Sequence, residues 1–430
     1  MRKKSLFLLT ALLLVLCACG GGNGSGDTAP LPASRTPELL AAVPSDALVV
    51  MCYNHCSEGM ALYDSTSVLQ KLDLTAFKKA PMALALCYSG SLMPILALDA
   101  GRADADSASA VHSLLEQAAS LKLKAGYIRP DPEAKRRGFV VITPSSALYQ
   151  SVQRHLTEYT SILDAPRFPQ ALKTAASEEF IAFRGSGAER MIPKGWLKDF
   201  FPRKELTAFL DALADWIMLV PEKGGFNVLP CYSNDDTYFT NILASVPLSD
   251  SRLGPLLPSG TRLALTLPVR HQQLRQAVDR WQDASMRLTR HRNELSELGR
   301  QAGKDPLKWE QEVDVCEVAL VHFGGEAVTL VRPARNVTDR EMGENPWRGF
   351  LPALYGKAFA LADDSYTAIW NGWHIYGSAA AVQAFLEAER PEEGAGSDWP
   401  GKSCRLLIRE SDKTLAWDKN GIKLTWNSNQ

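Results

Sequence analysis

The segment Cys52-Tyr53-Asn54-His55-Cys56 brings metal-binding residue types closest together in this chain. Thiolate sulfur and imidazole nitrogen are donors that zinc prefers. In a continuous strand Cys52 and Cys56 share one face while His55 points to the other, so the three side chains do not converge on one ion. A turn at Asn54 would bring them together but would not supply a fourth ligand. We therefore expect buried thiols or a local disulfide here, and no metal or cofactor.

Six cysteines follow the amino-terminal segment, an even number that could pair in an oxidising compartment, although buried free thiols explain them as well. They are Cys52, Cys56, Cys87, Cys231, Cys316 and Cys404. The seven histidines have no spacing typical of a site, and HExxH, GxSxG and SxxK motifs do not occur after the amino-terminal segment. We therefore expect no catalytic residue that a local motif would reveal.

Paired carboxylates and a cluster of aromatic residues suggest two other kinds of chemistry. Asp235-Asp236 and Asp363-Asp364 could serve acid–base catalysis or calcium binding, but turn formation explains both pairs. Four aromatic side chains in a predicted hairpin could form a platform for a sugar or an apolar ligand, although cross-strand packing is the favoured explanation. These are Tyr366, Trp370, Trp373 and Tyr376.

Residues 1–18 have the order of a secretory signal peptide. Three basic residues, Arg2, Lys3 and Lys4, precede the apolar run Leu6–Leu16, and the small residue Ala18 precedes Cys19. The apolar run of about 10–12 residues is shorter than the roughly 20 that a membrane-spanning helix needs. We expect the segment to be removed.

The tetrapeptide Leu16-Cys17-Ala18-Cys19 resembles the lipobox of bacterial lipoproteins. The resemblance implies that Cys19 is acylated with palmitate-type chains and becomes the new amino terminus; cleavage without a lipid is the alternative. Cys19 is a better acceptor than Cys17 because Ala18 is small. Residues 19–40 then form a flexible linker rich in Gly, Ser and Pro. Gly20 stands where an aspartate would signal retention in the inner membrane, so the resemblance favours the outer membrane, with the periplasmic or surface face left open.

The composition is that of an ordinary globular protein. The chain has 430 residues, 46% of them hydrophobic and 22% charged, with a net charge of −1. This length allows two or three cores, and the charge balance does not favour nucleic acid as a partner.

Three sequence segments each have a similar counterpart later in the chain, in the same order, which predicts a duplicated unit. Val43-Pro44-Ser45 and Leu257-Pro258-Ser259 each precede a strand, 84–99 corresponds to 318–333, and 140–156 corresponds to 374–386. The second copy contains an inserted helix at about 270–302, with an apolar stripe and arginine-rich other faces. That helix is expected to pack on its own sheet with a solvated charged face; a basic docking surface for an acidic partner or lipid headgroups is the alternative.

These patterns predict an α+β fold, a duplicated unit of antiparallel or mixed sheet with helices packed on one face. The expected units are 41–252 and 253–430, and the second ends in a hairpin at Leu415–Trp426 around Asn420-Gly421. Asn371-Gly372 marks another hairpin, and residues 216–248 read as three successive strands.

Together, the lipobox, VPSDALVV (43–50), TSILDAP (160–166) and WNGWHIYGS (370–378) resemble a family of uncharacterised bacterial envelope lipoproteins with a domain of unknown function. No activity can be transferred from that resemblance, because the shared segments form strands and turns and contain no catalytic motif. The sequence favours a non-enzymatic binding or assembly protein anchored to a membrane by its lipid, with an envelope protein or glycan as partner. A hydrolase of envelope glycans or peptides, with a site made from separated residues, is the alternative.

Overall fold

The computed structural model describes residues 39–63, 67–100, 107–129, 138–158, 160–186, 214–231, 236–237, 246–247, 249–356, 359–360, 362–390, 401–403, 405–410, 413–418 and 421–426. The predicted α+β class with a duplicated antiparallel sheet is confirmed. The signal peptide, Cys19, most of the linker and Cys404 lie outside these residues. Within them, no helix has the length and apolar character required to cross a bilayer.

Seventeen strands occur in the described residues. They are β1 (Val49–Tyr53), β2 (Met82–Tyr88), β3 (Leu92–Asp99), β4 (Lys124–Ile128), β5 (Phe139–Thr143), β6 (Phe180–Arg184), β7 (Trp216–Glu222), β8 (Gly225–Cys231), β9 (Thr261–Leu267), β10 (Val315–Phe323), β11 (Glu326–Pro333), β12 (Arg340–Glu344), β13 (Tyr366–Trp370), β14 (Trp373–Gly377), β15 (Leu406–Glu410), β16 (Lys413–Asp418) and β17 (Gly421–Trp426).

Nine α-helices occur in the same residues. They are α1 (Cys56–Leu62), α2 (Ser107–Ser120), α3 (Ser146–Glu158), α4 (Phe168–Ala175), α5 (His271–Ala284), α6 (Leu288–Ala302), α7 (Pro306–Val313), α8 (Phe350–Tyr355) and α9 (Ala379–Glu387).

All the strand pairs are antiparallel and connect into one sheet. The order in space is β4, β5, β3, β2, β1, β6, β7, β8, β17, β16, β15, β9, β10, β11, β14, β13 and β12. The first eight strands belong to the first copy and the other nine to the second. Both halves have the same internal order, apart from the added edge strand β12, so the sheet topology supports the predicted repeat.

The two copies meet through equivalent strands. Each of β8 and β17 is the last strand of its half, and the two pair antiparallel. Asn227 pairs with Lys423, Phe226 pairs with Leu424, and Val228 pairs with Ile422. Gly225 and Gly421 each start their strand, so equivalent residues exchange places across this ladder. The sheet therefore has a local pseudo-twofold axis between Asn227 and Lys423.

Helices cover both faces of the sheet, which corrects the expectation of a single helical face. In β1, Val49 and Met51 pack in one buried cluster with α1 and α2, whereas Val50 and Cys52 pack in another with α3 and α4. In the second copy, α5 to α8 share the first cluster, and α9 packs on the opposite face. The central strands are apolar on both sides, and burying both sides requires two helical layers. The apolar runs of these strands predict burial, but they do not by themselves show that each face has its own helical layer.

The insertion in the second copy is two helices, not the single long helix expected. Residues 54–81 join β1 to β2, whereas the longer segment 268–314 joins β9 to β10. Helix α5 ends at Ala284 and α6 begins at Leu288, and between them Met286 has a left-handed backbone with φ of 56°. The hydrogen bond from Arg287 N to the Gln282 carbonyl, 2.7 Å, closes this turn.

The hairpin predictions are confirmed where the structure describes them. Strands β13 and β14 pair from Tyr366–Gly377 to Trp370–Trp373, and Asn371 and Gly372 have φ of 50° and 77°, as a tight hairpin turn with two left-handed residues requires. Strands β16 and β17 pair as expected, although Asn420 lies outside the described residues. Strands β7 and β8 turn at Gly224 and extend the first sheet, whereas most of the predicted third strand after Cys231 lies outside the described residues.

Candidate functional site

Cys52 and Cys56 do not converge on one site. Cys52 ends up in the cluster on one face of the sheet, and Cys56, the first residue of α1, in the cluster on the other. Both are free and buried. Burial raises the pKa of Cys56 to about 12 and the pKa of Cys52 further still, so both remain neutral thiols at pH 7. The prediction of buried thiols in this segment is confirmed.

The other cysteines in the described residues are also free. Cys87 and Cys316 are buried, and Cys231 is half-buried. Burial raises the pKa of Cys87 and Cys231 to about 12. Cys404 lies outside the described residues.

A cluster of three metal-ligand side chains lies at the end of β1. One ligand atom each from His55, Glu58 and Glu179 lies within 4.8 Å of the others, and His55 Nδ1 is 3.4 Å from Glu58 Oε1. His55 and Glu58 lie at the start of α1, one turn apart, and Glu179 immediately precedes β6. The Asn54 backbone N–H donates to Glu179 Oε1 at 3.0 Å and so orients that carboxylate. Sequence reasoning considered His55 but missed both glutamates. The His-x-x-Glu spacing was a signal for Glu58, whereas only the pairing of β1 with β6 brings in Glu179.

The tyrosine before this cluster has a buried hydroxyl. Tyr53 is only 5% exposed, and its hydroxyl has no hydrogen-bond partner within the described part of the chain. Burial raises the pKa of Tyr53, and the negative charges of Glu179 and Glu58 raise it further. Cys52 pairs with Phe180, so extending the register by one residue places Tyr53 beside Glu179 on the same face of the sheet.

The four aromatic residues of the β13–β14 hairpin do not form an exposed platform. Tyr366, Trp370 and Trp373 lie on the face covered by α9, whereas Tyr376 lies in the cluster on the opposite face. Trp373 and Tyr376 are each 3% exposed. Cross-strand packing, the favoured explanation in the sequence, describes these contacts.

Arg390 covers the half-buried ring of Trp370. Its guanidinium carbon lies 4.3 Å from the centre of the Trp370 ring. The same guanidinium donates to the carbonyls of Leu256, Phe385 and Ala388. These three bonds fix the cation over the ring, so the hairpin has a structural role.

A fully buried carboxylate connects the segment that joins the two units to the sheet of the second unit. Glu317 in β10 is 0% exposed. Its Oε1 atom accepts hydrogen bonds from the hydroxyls of Ser251, at 2.6 Å, and Thr266, at 2.8 Å. Its Oε2 atom accepts from Arg332 Nε at 2.9 Å and from the Arg252 backbone N–H at 3.2 Å. With four donors, the carboxylate is satisfied and acts as a structural anchor.

A second buried ion pair connects three helices of the second unit. Arg275 of α5 lies 3.2 Å from Glu310 of α7 and donates to the Leu354 carbonyl of α8, also at 3.2 Å. Burial raises the pKa of the neighbouring Tyr355 hydroxyl, and the Glu310 charge adds to that rise. This pair links α5, α7 and α8 above the sheet.

The remaining candidate residues have local structural explanations. Asp363 Oδ1 accepts from the Ser365 N–H and Asp364 Oδ2 accepts from the Gly349 N–H, so the pair Asp363-Asp364 builds turns. The second predicted pair is described only at Asp236, which bonds Arg280. The His155 ring contacts the Thr160 hydroxyl at 2.8 Å, but the Thr160 N–H also donates to the His155 carbonyl, so this contact closes the end of α3.

Two histidines predicted in strands of the second unit lie there. His322 is in β10 and His374 is in β14. Burial lowers the pKa of both rings, that of His374 to about 4, and nearby arginines lower them further. Both rings are therefore neutral at pH 7.

One further sequence pattern resembles a phosphate-binding motif. Residues 396–403, GSDWPGKS, match the spacing GxxxxGK[ST] of phosphate-binding loops. Such a loop follows a strand and precedes a helix. Here the pattern follows α9 and precedes β15, the reverse order, and the described part of the loop is limited to 401–403. Within the described residues, the pattern thus lies between a helix and a strand, and not between a strand and a helix as in phosphate-binding loops.

The most exposed large apolar side chain of the described residues is at the tip of the α5–α6 hairpin. Met286 is 95% exposed. Helix α6 has one buried residue, Leu295, so most of its surface faces solvent. The hairpin 271–302 carries six arginines against four carboxylates, and several of the arginines form ion pairs on its surface.

Comparison with known proteins adds no relative: no family model, no curated protein and no solved structure matches this chain.

Proposed function

We propose that this chain is a lipoprotein of the bacterial outer membrane whose ectodomain binds an envelope partner, either a protein or a glycan with acidic groups, without catalysing a reaction. The signal-like segment and the Cys19 lipobox support the anchor. The linker that begins at Cys19 would hold the ectodomain near the bilayer while leaving it free to rotate. It ends before residue 40, the bound expected from the sequence, because Leu39 and Leu40 are buried in the core of the first unit.

The exposed Met286 at the tip of the α5–α6 hairpin is the observation that carries the binding role. A left-handed backbone at a non-glycine residue costs roughly 1 kcal/mol or more, and here it presents an apolar side chain to water. Met is an adaptable residue that recurs at binding surfaces. Arg287 is exposed beside it, so the tip combines an apolar anchor with a positive charge.

The location of the hairpin supports the same role. It is an insertion in the connection between β9 and β10, and the corresponding connection of the first copy is shorter. Insertions of this kind do not disturb the paired strands, so they are the part of a duplicated protein that can acquire a new contact.

The anchor is tested by mass spectrometry of the protein isolated from its own membrane. We expect the chain to begin at an acylated Cys19. Retention of residues 1–18, or a Cys19 without acyl chains, would overturn this part of the proposal.

The binding surface is tested by quantitative pull-down from cross-linked native membranes. Burying a methionine contributes about 1.5–3 kcal/mol, so Met286→Ser should weaken recovery of the partner about 10- to 100-fold. Arg287→Ser should weaken it less and in a salt-dependent manner. The matched control is Met342→Ser, at a methionine that is 36% exposed on the edge strand β12. Equal recovery with Met286→Ser and Met342→Ser would refute the assignment.

A further inference from the structure

We propose that His55, Glu58 and Glu179 form a binding site for a divalent metal ion of the zinc class. The proposal goes beyond the envelope-binding function and does not depend on it. It rests on the convergence of three ligands from two elements, the start of α1 and the start of β6, on the distances between their ligand atoms, and on a buried hydroxyl next to them.

The ligands converge because β1 and β6 are neighbours in the sheet. The pairing of Cys52 with Phe180 brings Glu179 to the end of β1, where the chain turns into α1. His55 and Glu58 come from the first turn of that helix. The Asn54 N–H holds Glu179 Oε1 at 3.0 Å, which leaves the other oxygen of the carboxylate for an ion. Glu179 is thus oriented before any ligand binds.

The geometry fits a small tetrahedral ion. Ligands about 2.0–2.1 Å from zinc lie roughly 3.4 Å from one another in tetrahedral coordination. His55 Nδ1 and Glu58 Oε1 are 3.4 Å apart, and all three ligand atoms lie within 4.8 Å, so rotation of the exposed side chains would complete the set. Three protein ligands leave a fourth position for water.

The donor set selects the class of metal. Calcium and magnesium take oxygen ligands, in larger numbers for calcium and in an octahedron for magnesium. An imidazole nitrogen with two carboxylates suits zinc and its neighbours, and zinc binds such sites more tightly than manganese or iron(II).

Tyr53 supplies the second observation. Its side chain is 5% exposed, and its hydroxyl has no hydrogen-bond partner in the described part of the chain. The extended β1–β6 register places Tyr53 opposite Glu179, and the charges of Glu179 and Glu58 both act on its hydroxyl. A buried hydroxyl in that state costs free energy that a partner would recover. Water in the fourth position of the metal would provide a partner next to the two carboxylates.

The chain also contains a matched pair that lacks the third ligand. His112 Nε2 and Glu116 Oε1 of α2 are 3.2 Å apart on an exposed helical surface. That pair has the same two residue types at comparable spacing, and the described residues place no third carboxylate or imidazole beside it within metal-binding distance. It therefore serves as the internal control.

The test is isothermal titration of the purified, chelator-treated chain with zinc, using an affinity tag without histidine. We expect one saturable site whose affinity falls about tenfold or more in Glu179→Gln and in Glu58→Gln. His112→Asn should leave this site unchanged. Magnesium or calcium at the same concentrations should not compete.

Folding of each variant is checked by its circular dichroism and unfolding midpoint. Glu179→Gln keeps an oxygen that can accept the Asn54 N–H, and Glu58 is exposed, so Glu58→Gln tests the site if Glu179→Gln fails to fold. The absence of saturable zinc binding would overturn the proposal. So would an affinity that falls in His112→Asn as much as in the two glutamate variants.

Discussion

Replacing Arg332 by methionine measures how much the buried Glu317 carboxylate depends on its ion pair. Methionine keeps much of the apolar stem of arginine, whose guanidinium also lies 5.8 Å from the centre of the Trp373 ring. The substitution therefore removes the charge while retaining part of the packing. What remains is a carboxylate that is 0% exposed and that still accepts from Ser251, Thr266 and the Arg252 N–H.

The expected magnitude follows from the burial of the two partners. Removing one member of a buried ion pair costs about 3–5 kcal/mol, because the other charge is left without compensation. Three donors remain on Glu317 and the Arg332 side chain is 20% exposed, so we expect a loss near the lower limit, about 3 kcal/mol. The same substitution at Arg290, whose pair with Glu294 is on the surface of α6, should cost about 0.5 kcal/mol or less.

A second variant separates loss of charge from loss of shape. In Glu317→Gln, one oxygen can still accept from Ser251 and Thr266, but the new amide group faces two donors, Arg332 Nε and the Arg252 N–H. That arrangement is unfavourable until Arg332 is also removed. The double variant should therefore cost at least about 1 kcal/mol less than the sum of the two single variants.

The assay is urea unfolding followed by tryptophan fluorescence, with stability compared through the midpoint and its slope. A loss below about 1 kcal/mol in Arg332→Met would refute the reasoning. Costs in the double variant equal to the sum of the single costs would show that Glu317 and Arg332 do not interact as described.

Three further perturbations test other parts of the structure. The pKa of His374 is about 4 in the folded chain and 6.5 in the unfolded chain. Between these two pH values the unfolded chain binds more protons than the folded chain, so folding stability should fall as pH falls from 6.5 to 4. His374→Phe should lose that part of the pH dependence in urea titrations, and an unchanged pH profile would contradict the assignment. Burial raises the pKa of the Cys87 thiol to about 12, so the contribution of the neutral thiol to folding stability is complete below pH 9 and is lost as pH rises toward 12. A thiol reagent at pH 8 should therefore label Cys87 only after the chain unfolds. Labelling of Cys87 in the native chain would contradict this expectation. A methyl group at Gly185 would lie 1.9 Å from the Ala214 carbonyl oxygen, so Gly185→Ala should lower the free energy of unfolding, measured in urea, by about 1–3 kcal/mol. The control is Gly343→Ala, which should change it by about 0.5 kcal/mol or less because nothing lies within 4 Å of the added methyl group.

Local patterns in the sequence predicted the individual strands and turns well. The Asn371-Gly372 turn and the strands around it need only the preference of two residues for a left-handed backbone, which neighbours in the chain determine. The repeat was visible for a similar reason, because both copies keep the same order of strands and turns. Ser145 and Ser378 lie in the matched segments 140–156 and 374–386, and the hydroxyl of each accepts from the backbone N–H three residues later at the start of a helix.

Sequence patterns failed where several elements had to be considered together. Apolar runs predicted buried strands but did not show that helices cover both faces. The periodic pattern of 270–302 continued through Met286, because an exposed turn residue does not interrupt an apolar stripe. The aromatic hairpin was compatible with an exposed ligand platform because the alternation of side chains along two strands does not show which face of the sheet a helix covers.

By itself, the sequence determined the class of fold, the repeat and the Asn371-Gly372 turn, since each depends on residue type and local periodicity. Only the tertiary structure decided that the two copies join through β8 and β17, that Glu317 meets Ser251 and Arg332, and that Glu179 lies beside His55. Those contacts link residues far apart in the chain, and their partners become neighbours only when the strands pair.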